Sequence, residues 1–137
     1  MISVPSASSI AYLDSSAIVK LAIEEEETRP LRVALRQWPR RVSSRLAAVE
    51  VLRAVRRRDR AAEALARRVL ARIALMRIGD RVLLAAAALD PPALRSVDAI
   101  HLASALRLRG AIAAFVSYDE RQLEAARALG LPVEWPR

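Results

Sequence analysis

Short apolar runs alternate along the chain with longer segments in which apolar residues recur every three or four positions. The short runs predict strands at residues 10–13, 41–43, 82–84, 112–117 and 133–135. The longer segments predict helices at residues 15–23, 28–38, 44–57, 60–78, 96–109 and 120–129. Strands that alternate with helices are joined by right-handed crossovers. The pattern therefore predicts an α/β fold in one domain spanning residues 1–137, with a central, mainly parallel sheet of about five short strands flanked by helices.

Composition excludes cysteine-based sites and favours one cellular compartment. The chain has no cysteine, which excludes disulfides, thiolate metal sites and thiol nucleophiles and suits a reducing cytosol. Residues 1–10 lack the basic and apolar regions of a secretion signal. The longest uncharged apolar run, residues 82–89, is far shorter than the roughly 20 residues that a membrane span needs. We therefore expect a cytoplasmic protein with no membrane partner.

Positive charge is concentrated in the middle of the chain. The net charge is +8, and 22 of the 23 basic residues are arginines. Residues 29–81 hold 16 arginines and four acidic residues, a net charge of +12, whereas the rest of the chain carries −4. A basic segment of this kind is typical of a protein that meets a polyanion. Genome nucleotide composition and the tolerance of helix surfaces for arginine also explain it, so charge alone leaves both interpretations open.

Two aspartates end predicted strands. Asp14 directly follows the apolar run at 10–13, and Asp119 follows FVSY at 115–118. The carboxyl ends of parallel strands share one edge of the sheet, where open α/β proteins bind ligands at the switch in strand order. We therefore expect the two carboxylates to lie at the same edge. Taken singly, each also fits a turn or helix-capping residue.

Two further acidic residues lie on predicted helices. Glu50 is the only acidic residue in LAAVEVLRAV at 46–55, and a carboxylate among apolar neighbours is costly unless it is paired or bound to a metal. It also fits the exposed side of a half-buried helix. Asp98 stands in the first turn of the helix that begins at Ser96, where a carboxylate favours the helix dipole without any function.

Four carboxylates brought together from separate elements would repel one another without a cation. Oxygen ligands with no cysteine and no pair of histidines suit Mg²⁺ or Mn²⁺ rather than Zn²⁺. Such ions bind phosphate oxygens, lower the pKa of an attacking water and stabilise the leaving oxygen. The acidic residues therefore predict phosphodiester hydrolysis, and the arginines acquire a role in attracting the phosphate polymer.

Four segments in this order and spacing resemble one known family. They are YLDSSAIVKL at 12–21, AAVEVLRA at 47–54, SVDAIHLASAL at 96–106 and FVSYDERQLEAARALGL at 115–131. The chain resembles the PIN-domain ribonucleases, and within them the VapC toxins of toxin–antitoxin pairs. The resemblance implies a PIN-like α/β/α fold and a Mg²⁺- or Mn²⁺-dependent endoribonuclease acting on an RNA such as tRNA or rRNA. It also implies a homodimer. A VapB-like antitoxin is expected to neutralise it, with the C-terminal segment of the antitoxin in the groove that the acidic residues line.

The resemblance further implies roles for individual residues. The family's acidic quartet maps onto Asp14, Glu50, Asp98 and Asp119. The three aspartates are expected to be metal ligands, directly or through water, and the glutamate is expected to be a ligand or to orient a metal-bound water. Ser16 and Ser117 are expected to hydrogen-bond a ligand carboxylate or a phosphate. Ser16 equally fits a residue at the start of a helix, and a purely structural role fits Ser117, beside Asp119, equally well.

Two neighbours of the quartet have alternative interpretations. Glu120 is adjacent to Asp119 and is the alternative candidate for the same ligand position. A solvent-facing position at the start of a helix fits it better. His101 lies three residues after Asp98 and so on the same helix face. We interpret it as a packed or hydrogen-bonded residue rather than a catalytic one.

Two other classes of function remain as alternatives. One is a catalytically silent, arginine-rich nucleic-acid-binding module whose acidic residues only bind a structural metal; its binding of RNA or DNA would survive Asp14→Asn. The other is a phosphotransfer domain of receiver type, also α/β with Mg²⁺. That class needs paired acids after the first strand, where this chain has Asp14 followed by Ser15 and Ser16. A glycine-rich phosphate loop is excluded, because the three glycines all fit helix or loop ends.

Overall fold

The computed structural model describes residues 9–137, in which five short strands pair in parallel to form one sheet. The strands are β1 (Ile10–Leu13), β2 (Arg40–Ser44), β3 (Ala74–Met76), β4 (Ile112–Val116) and β5 (Val133–Glu134). Their order across the sheet is β3-β2-β1-β4-β5, so β3 and β5 are the edge strands. The interpretation that residues 1–10 lack a secretion signal falls mostly outside the described residues.

Seven α-helices flank the strands in the described part of the chain. They are α1 (Ser15–Ala22), α2 (Thr28–Leu35), α3 (Leu46–Arg58), α4 (Glu63–Ala71), α5 (Asp80–Ala87), α6 (Ser96–Leu106) and α7 (Glu120–Ala128), with a 3₁₀ turn at Arg60–Ala62 before α4. Gly130 closes α7 as predicted: its φ of +82° favours glycine, and Leu131 N then donates to Ala126 O at 3.0 Å. Over residues 9–137, no helix has the length and apolar character needed to cross a membrane.

The predicted elements are wrong at two neighbouring segments. Residues 82–84, predicted as a strand, lie inside α5, because Val82 and Ala86 stand one helical turn apart and both pack against α6. Residues 74–76, predicted as the end of a helix, form β3, which pairs with β2 from Val42↔Ala74 to Ser44↔Met76. Pairing with the open edge of a sheet is a non-local interaction, and here it outweighs the local helical spacing.

Alternate residues of the central strands face opposite sides of the sheet. Ala11 and Leu13 of β1 pack into a core with α1, α3 and α4 on one side. Tyr12 of β1 and Phe115 of β4 pack with α6 and α7 on the other side. The sheet therefore lies between two helical layers, which confirms the expected α/β/α arrangement.

The strand order reverses between β1 and β4. From β1 the chain first adds strands on one side, β2 and then β3, and later adds β4 and β5 on the other side. The reversal lies between β1 and β4, and open α/β sheets bind ligands at such a point. Asp14 follows β1 here, and its backbone N–H donates to Val116 O at 3.1 Å. The ends of the two strands are therefore joined where the candidate acidic residues begin.

Candidate metal centre

Asp14 is a buried carboxylate at the carboxyl end of β1. It caps α1, with Oδ1 accepting from Ser16 N at 3.0 Å and Ala17 N at 3.3 Å. Its side chain also accepts from the hydroxyls of Ser16 and Ser117, each at 2.5 Å. Burial raises the pKa of Asp14, although the serine hydrogen bonds act in the opposite direction. All of these donors are neutral, so none of them cancels the charge of the ionised carboxylate.

Ser16 and Ser117 connect Asp14 to the segment that follows β4. The Ser16 hydroxyl also accepts from Tyr118 N at 2.9 Å, and the Ser117 hydroxyl accepts from Asp119 N at 3.1 Å. Both serines therefore lie between a predicted ligand and the backbone that carries another. This is the position from which a side chain orients a carboxylate for a metal, and the role expected for them from the sequence stays a prediction.

Asp98 and Asp119 meet at one cation, Arg95. Arg95 Nε lies 3.3 Å from Asp98 Oδ2, and its Nη2 lies 3.8 Å from Asp119 Oδ2. Asp119 also caps α7 by accepting from Arg121 N at 2.9 Å, so the capping interpretation holds for it as it does for Asp14. Glu120, the alternative to Asp119, is exposed and lines a different pocket beside Trp135.

Glu50 reaches the same region from α3, on the other helical layer. Its Oε1 accepts from Ser15 Oγ at 2.5 Å and lies 2.6 Å from His101 Nε2. Burial alone would raise the pKa of Glu50, but the hydrogen bonds from His101 and Ser15 lower it below its ordinary value. Glu50, Asp98 and Arg95 together line a pocket of about 220 Å³. Three of the four predicted acidic residues are thus brought around one small space and one cation, with Asp14 beside Ser117.

Three contributors to this site were not predicted from the sequence. Arg95 lies outside the basic segment 29–81, yet it is the arginine that contacts the acidic residues. Its position three residues before Asp98 is the signal that could have identified it. Ser15 and Tyr12, which bond Glu50 and His101, are joined to them across 35 and 89 residues of sequence, and no local pattern marks such contacts.

The residues present fit a hard divalent cation by the chemistry of their donors. The donor set is all carboxylate oxygen, the type that Mg²⁺ and Mn²⁺ prefer, and a guanidinium already stands between two of the carboxylates. As the side chains lie, no group of three or more His, Asp and Glu residues within 9–137 is arranged to hold one ion. Instead, Arg95 contacts one oxygen of Asp98 and one of Asp119, and His101 contacts one oxygen of Glu50.

Comparison with known proteins gives a consistent family. The family model described as PIN domain matches residues 11–128. Ribonuclease VapC46 of Mycobacterium tuberculosis is 48% identical over 125 residues, covering 91% of this chain and 96% of that protein. Ribonucleases VapC35 and VapC47 of the same species are 42% and 36% identical over 130 residues, with the same coverage.

A solved structure gives the same architecture. The chain is similar to a toxin–antitoxin complex from Klebsiella pneumoniae with a TM-score of 0.71 at 22% identity, covering 93% of this chain and 98% of that chain. At this level of identity the likeness concerns the fold alone.

Proposed function

This chain belongs to the PIN-domain family and to the VapC group within it, and from that premise we propose that it is the toxin of a toxin–antitoxin pair, an endoribonuclease that depends on Mg²⁺ or Mn²⁺. The family match confirms the resemblance that the sequence motifs indicated. The relatives are ribonucleases by name, which supports RNA as the substrate. One observation carries the metal dependence: Asp98 and Asp119 share a single cation beside Glu50.

The acidic quartet would hold the ion. Asp98 and Asp119 are the proposed direct ligands, and Glu50 lies across the same pocket. Asp14 contributes directly or through water from the end of β1. When bound, Mg²⁺ or Mn²⁺ supplies the positive charge that lowers the pKa of an attacking water and stabilises the leaving oxygen.

The chain's own groups prepare the site for an RNA phosphate. Glu50 is ionised because its hydrogen bonds lower its pKa, so it can accept a hydrogen bond from the attacking water and orient it. Arg95 has a side chain that is 76% exposed and contacts Oδ2 of Asp98 and Oδ2 of Asp119. If the two aspartates held the ion, the Arg95 guanidinium would be free to bind a phosphate oxygen of the substrate.

The decisive experiment uses two matched aspartates. Asp98 stands in the first turn of α6 and lines the pocket, and Asp80 stands exposed in the first turn of α5 and is not among the residues that line it. Purified wild type and Asp80→Asn should degrade total cellular RNA with Mg²⁺ or Mn²⁺ but not with EDTA, whereas Asp98→Asn should lose about 10³-fold in rate.

Three outcomes would contradict the proposal. They are cleavage that ignores EDTA, cleavage that persists in Asp98→Asn, and RNA binding without any cleavage. The last result would favour the catalytically silent nucleic-acid-binding module.

The proposed antitoxin partner fits a groove formed by α1, α2 and α4. The groove has a volume of about 260 Å³ and combines an apolar floor with arginines; its lining includes Leu21, Leu35, Val69, Arg32, Arg41 and Arg72. These side chains complement a segment that carries both apolar and acidic residues, which is the chemistry we propose for the VapB-like antitoxin. Arg72→Glu should weaken neutralisation by a coexpressed antitoxin while leaving RNA cleavage unchanged.

The proposed homodimer would cover the outer face of α5. Leu83 and Leu84 are exposed on this helix, at 45% and 72%. Adjacent exposed leucines are typical of a surface covered by a partner, and we propose that a second copy of the chain supplies it. Leu84→Glu should convert a dimer into a monomer in sedimentation experiments. The assembled toxin would act in the cytoplasm, where tRNA and rRNA are found.

A further inference from the structure

His101 connects two helical layers at the edge of the sheet where the acidic residues lie. It is the only histidine of the chain and is 2% exposed on α6. Its Nδ1 lies 2.7 Å from the hydroxyl of Tyr12, which is fully buried on β1. Its Nε2 lies 2.6 Å from Glu50 Oε1, on α3. Because α3 and α6 pack on opposite faces of the sheet, the three side chains form a connection around its carboxyl edge.

The chemistry of these groups sets the direction of the hydrogen bonds. Burial raises the pKa of Tyr12, so its hydroxyl keeps its hydrogen. An ionised Glu50 needs a donor, and Nε2–H of His101 supplies it. A neutral imidazole with its hydrogen on Nε2 has an acceptor at Nδ1, which the Tyr12 hydroxyl fills. With that tautomer the order is Tyr12 O–H to His101 Nδ1, then His101 Nε2–H to Glu50 Oε1.

The Tyr12 end of this arrangement is packed among aromatic rings, and the Glu50 end has one oxygen that accepts no hydrogen bond from residues 9–137. The Tyr12 ring stacks on Phe115 with centroids 5.4 Å apart and meets the His101 ring edge-on at 5.8 Å. The hydrogen bonds to Glu50 from His101 and Ser15 both end on Oε1. Among residues 9–137 none ends on Oε2 of Glu50, a side chain that lines the pocket shared with Asp98.

We propose that Tyr12 and His101 are positioning residues for Glu50, holding one of its oxygens so that the other faces the ion and the attacking water. The inference rests on the proposed function, since it assigns these residues a part in that same site. Neither residue touches RNA or the ion. Residues that orient the ligands of a metal typically change affinity or activity by about 10- to 100-fold when they are removed.

Tyr12→Phe tests the proposal against a matched control. It removes one buried hydroxyl, and Tyr118→Phe, at the only other tyrosine, removes a hydroxyl that donates to Pro136 O at 2.8 Å. Tyr12→Phe should weaken Mn²⁺ binding, measured by calorimetry without RNA, by about 10-fold, and should lower kcat by a similar factor with little change in KM. Tyr118→Phe should match wild type in all three quantities.

The single histidine allows a direct spectroscopic reading in the metal-free protein. Nitrogen-15 NMR of wild type should show a hydrogen on Nε2 of His101, facing Glu50, and Tyr12→Phe should lower the occupancy of that position. His101→Gln keeps an N–H donor and should recover part of the Mn²⁺ affinity that His101→Leu loses.

Failure of this inference and failure of the proposed function give different results. If wild type cleaves RNA only with a divalent metal and Tyr12→Phe behaves like Tyr118→Phe, the positioning role is wrong and the function stands. If wild type neither binds Mn²⁺ nor cleaves RNA, the proposed function is wrong. In that case the NMR still decides the pairing, which is overturned by an Nε2 that carries no hydrogen or by an Nε2 signal that Tyr12→Phe leaves unchanged.

Discussion

Two charged residues are buried at opposite ends of α1, and they are held in opposite ways. Asp14 precedes the helix and is 5% exposed, and Lys20 lies in its last turn and is 8% exposed. Lys20 Nζ donates to Glu25 at 2.9 Å and to Glu27 at 3.0 Å, and it lies 4.8 Å from the centre of the Tyr118 ring. Asp14, by contrast, accepts hydrogen bonds only from hydroxyls and backbone N–H groups.

The contrast separates Lys20, whose charge is neutralised within the chain, from Asp14, whose charge we propose is neutralised by a bound cation. Burial alone would lower the pKa of Lys20, but hydrogen bonds to Glu25 and Glu27 raise it, so the protein itself stabilises the charged form. Burial raises the pKa of Asp14 because its neutral partners do not compensate for lost hydration. A buried ion pair is complete without any addition, whereas a buried carboxylate with neutral donors gains free energy from an added cation.

The largest expected difference between the two residues is in catalysis. Asp14→Asn should lower kcat for metal-dependent RNA cleavage by about 10³-fold, because the proposed ion loses a ligand. Lys20→Met should leave kcat unchanged at a temperature where it is folded. Single-turnover cleavage of a defined RNA measures both, and equal losses in the two variants would remove the distinction.

The second difference is in the response of stability to metal. Mn²⁺ at about 100 times its Kd should raise the free energy of unfolding of wild type and of Lys20→Met by about 2.7 kcal/mol, and EDTA should reverse the effect. Asp14→Asn should respond much less. Urea unfolding with and without Mn²⁺ gives these values, and a full response in Asp14→Asn would show that the ion binds elsewhere.

The third difference is in the stability of the metal-free protein. Lys20→Met leaves Glu27 without its cation and Glu25 with Arg58 alone, so we expect a loss of stability. Asp14→Asn should change stability in the other direction at neutral pH. Its folded pKa lies above the ordinary 3.8, so the ionised form costs stability once the pH exceeds that pKa, and asparagine removes this cost. Calorimetry in EDTA distinguishes the two signs.

The smallest expected effect is a dependence of stability on pH at the Lys20 end. Hydrogen bonds from Lys20 and Arg58 lower the pKa of Glu25 below its ordinary 4.5. Its contribution is therefore present above pH 4.5 and is lost as the pH falls through the folded pKa. Because Glu25 is partly exposed, we expect less than about 1 kcal/mol, measured by urea unfolding across this range. Lys20→Met should flatten the curve, and an unchanged curve would contradict the assignment.

Much of the fold and half of the candidate site follow from local patterns in the sequence. The runs before Asp14 and Asp119 predict strands, and parallel strands place both residues at one sheet edge, as the structure has them. The apolar neighbours of Glu50 in the sequence indicate a carboxylate that is paired or bound to a metal. The predicted strand at 82–84 lies in a helix, and the strand β3 was not predicted. Both errors show the limit of local patterns, because three apolar residues fit either a strand or one side of a helix.

The partners of the acidic residues depend on tertiary structure. Arg95 lies outside the basic segment, so the net charge of +12 for residues 29–81 does not identify the cation that meets Asp98 and Asp119. His101 contacts Tyr12 and Glu50 across 89 and 51 residues of sequence, and it bridges helices from both layers. Its spacing from Asp98 predicts a shared helix face and nothing about these contacts.

Strand ends, helix starts and short motifs are local features, so the sequence alone predicted the family and the α/β alternation, which are confirmed, and the four acidic positions, which stay a prediction. Only the tertiary structure decided which charges are paired within the chain. Hydrogen bonds and ion pairs act over a few ångströms, and residues far apart in sequence come within that range only after the sheet and both helical layers have packed. That packing gives Lys20 two counter-ions and leaves Asp14 with neutral donors alone.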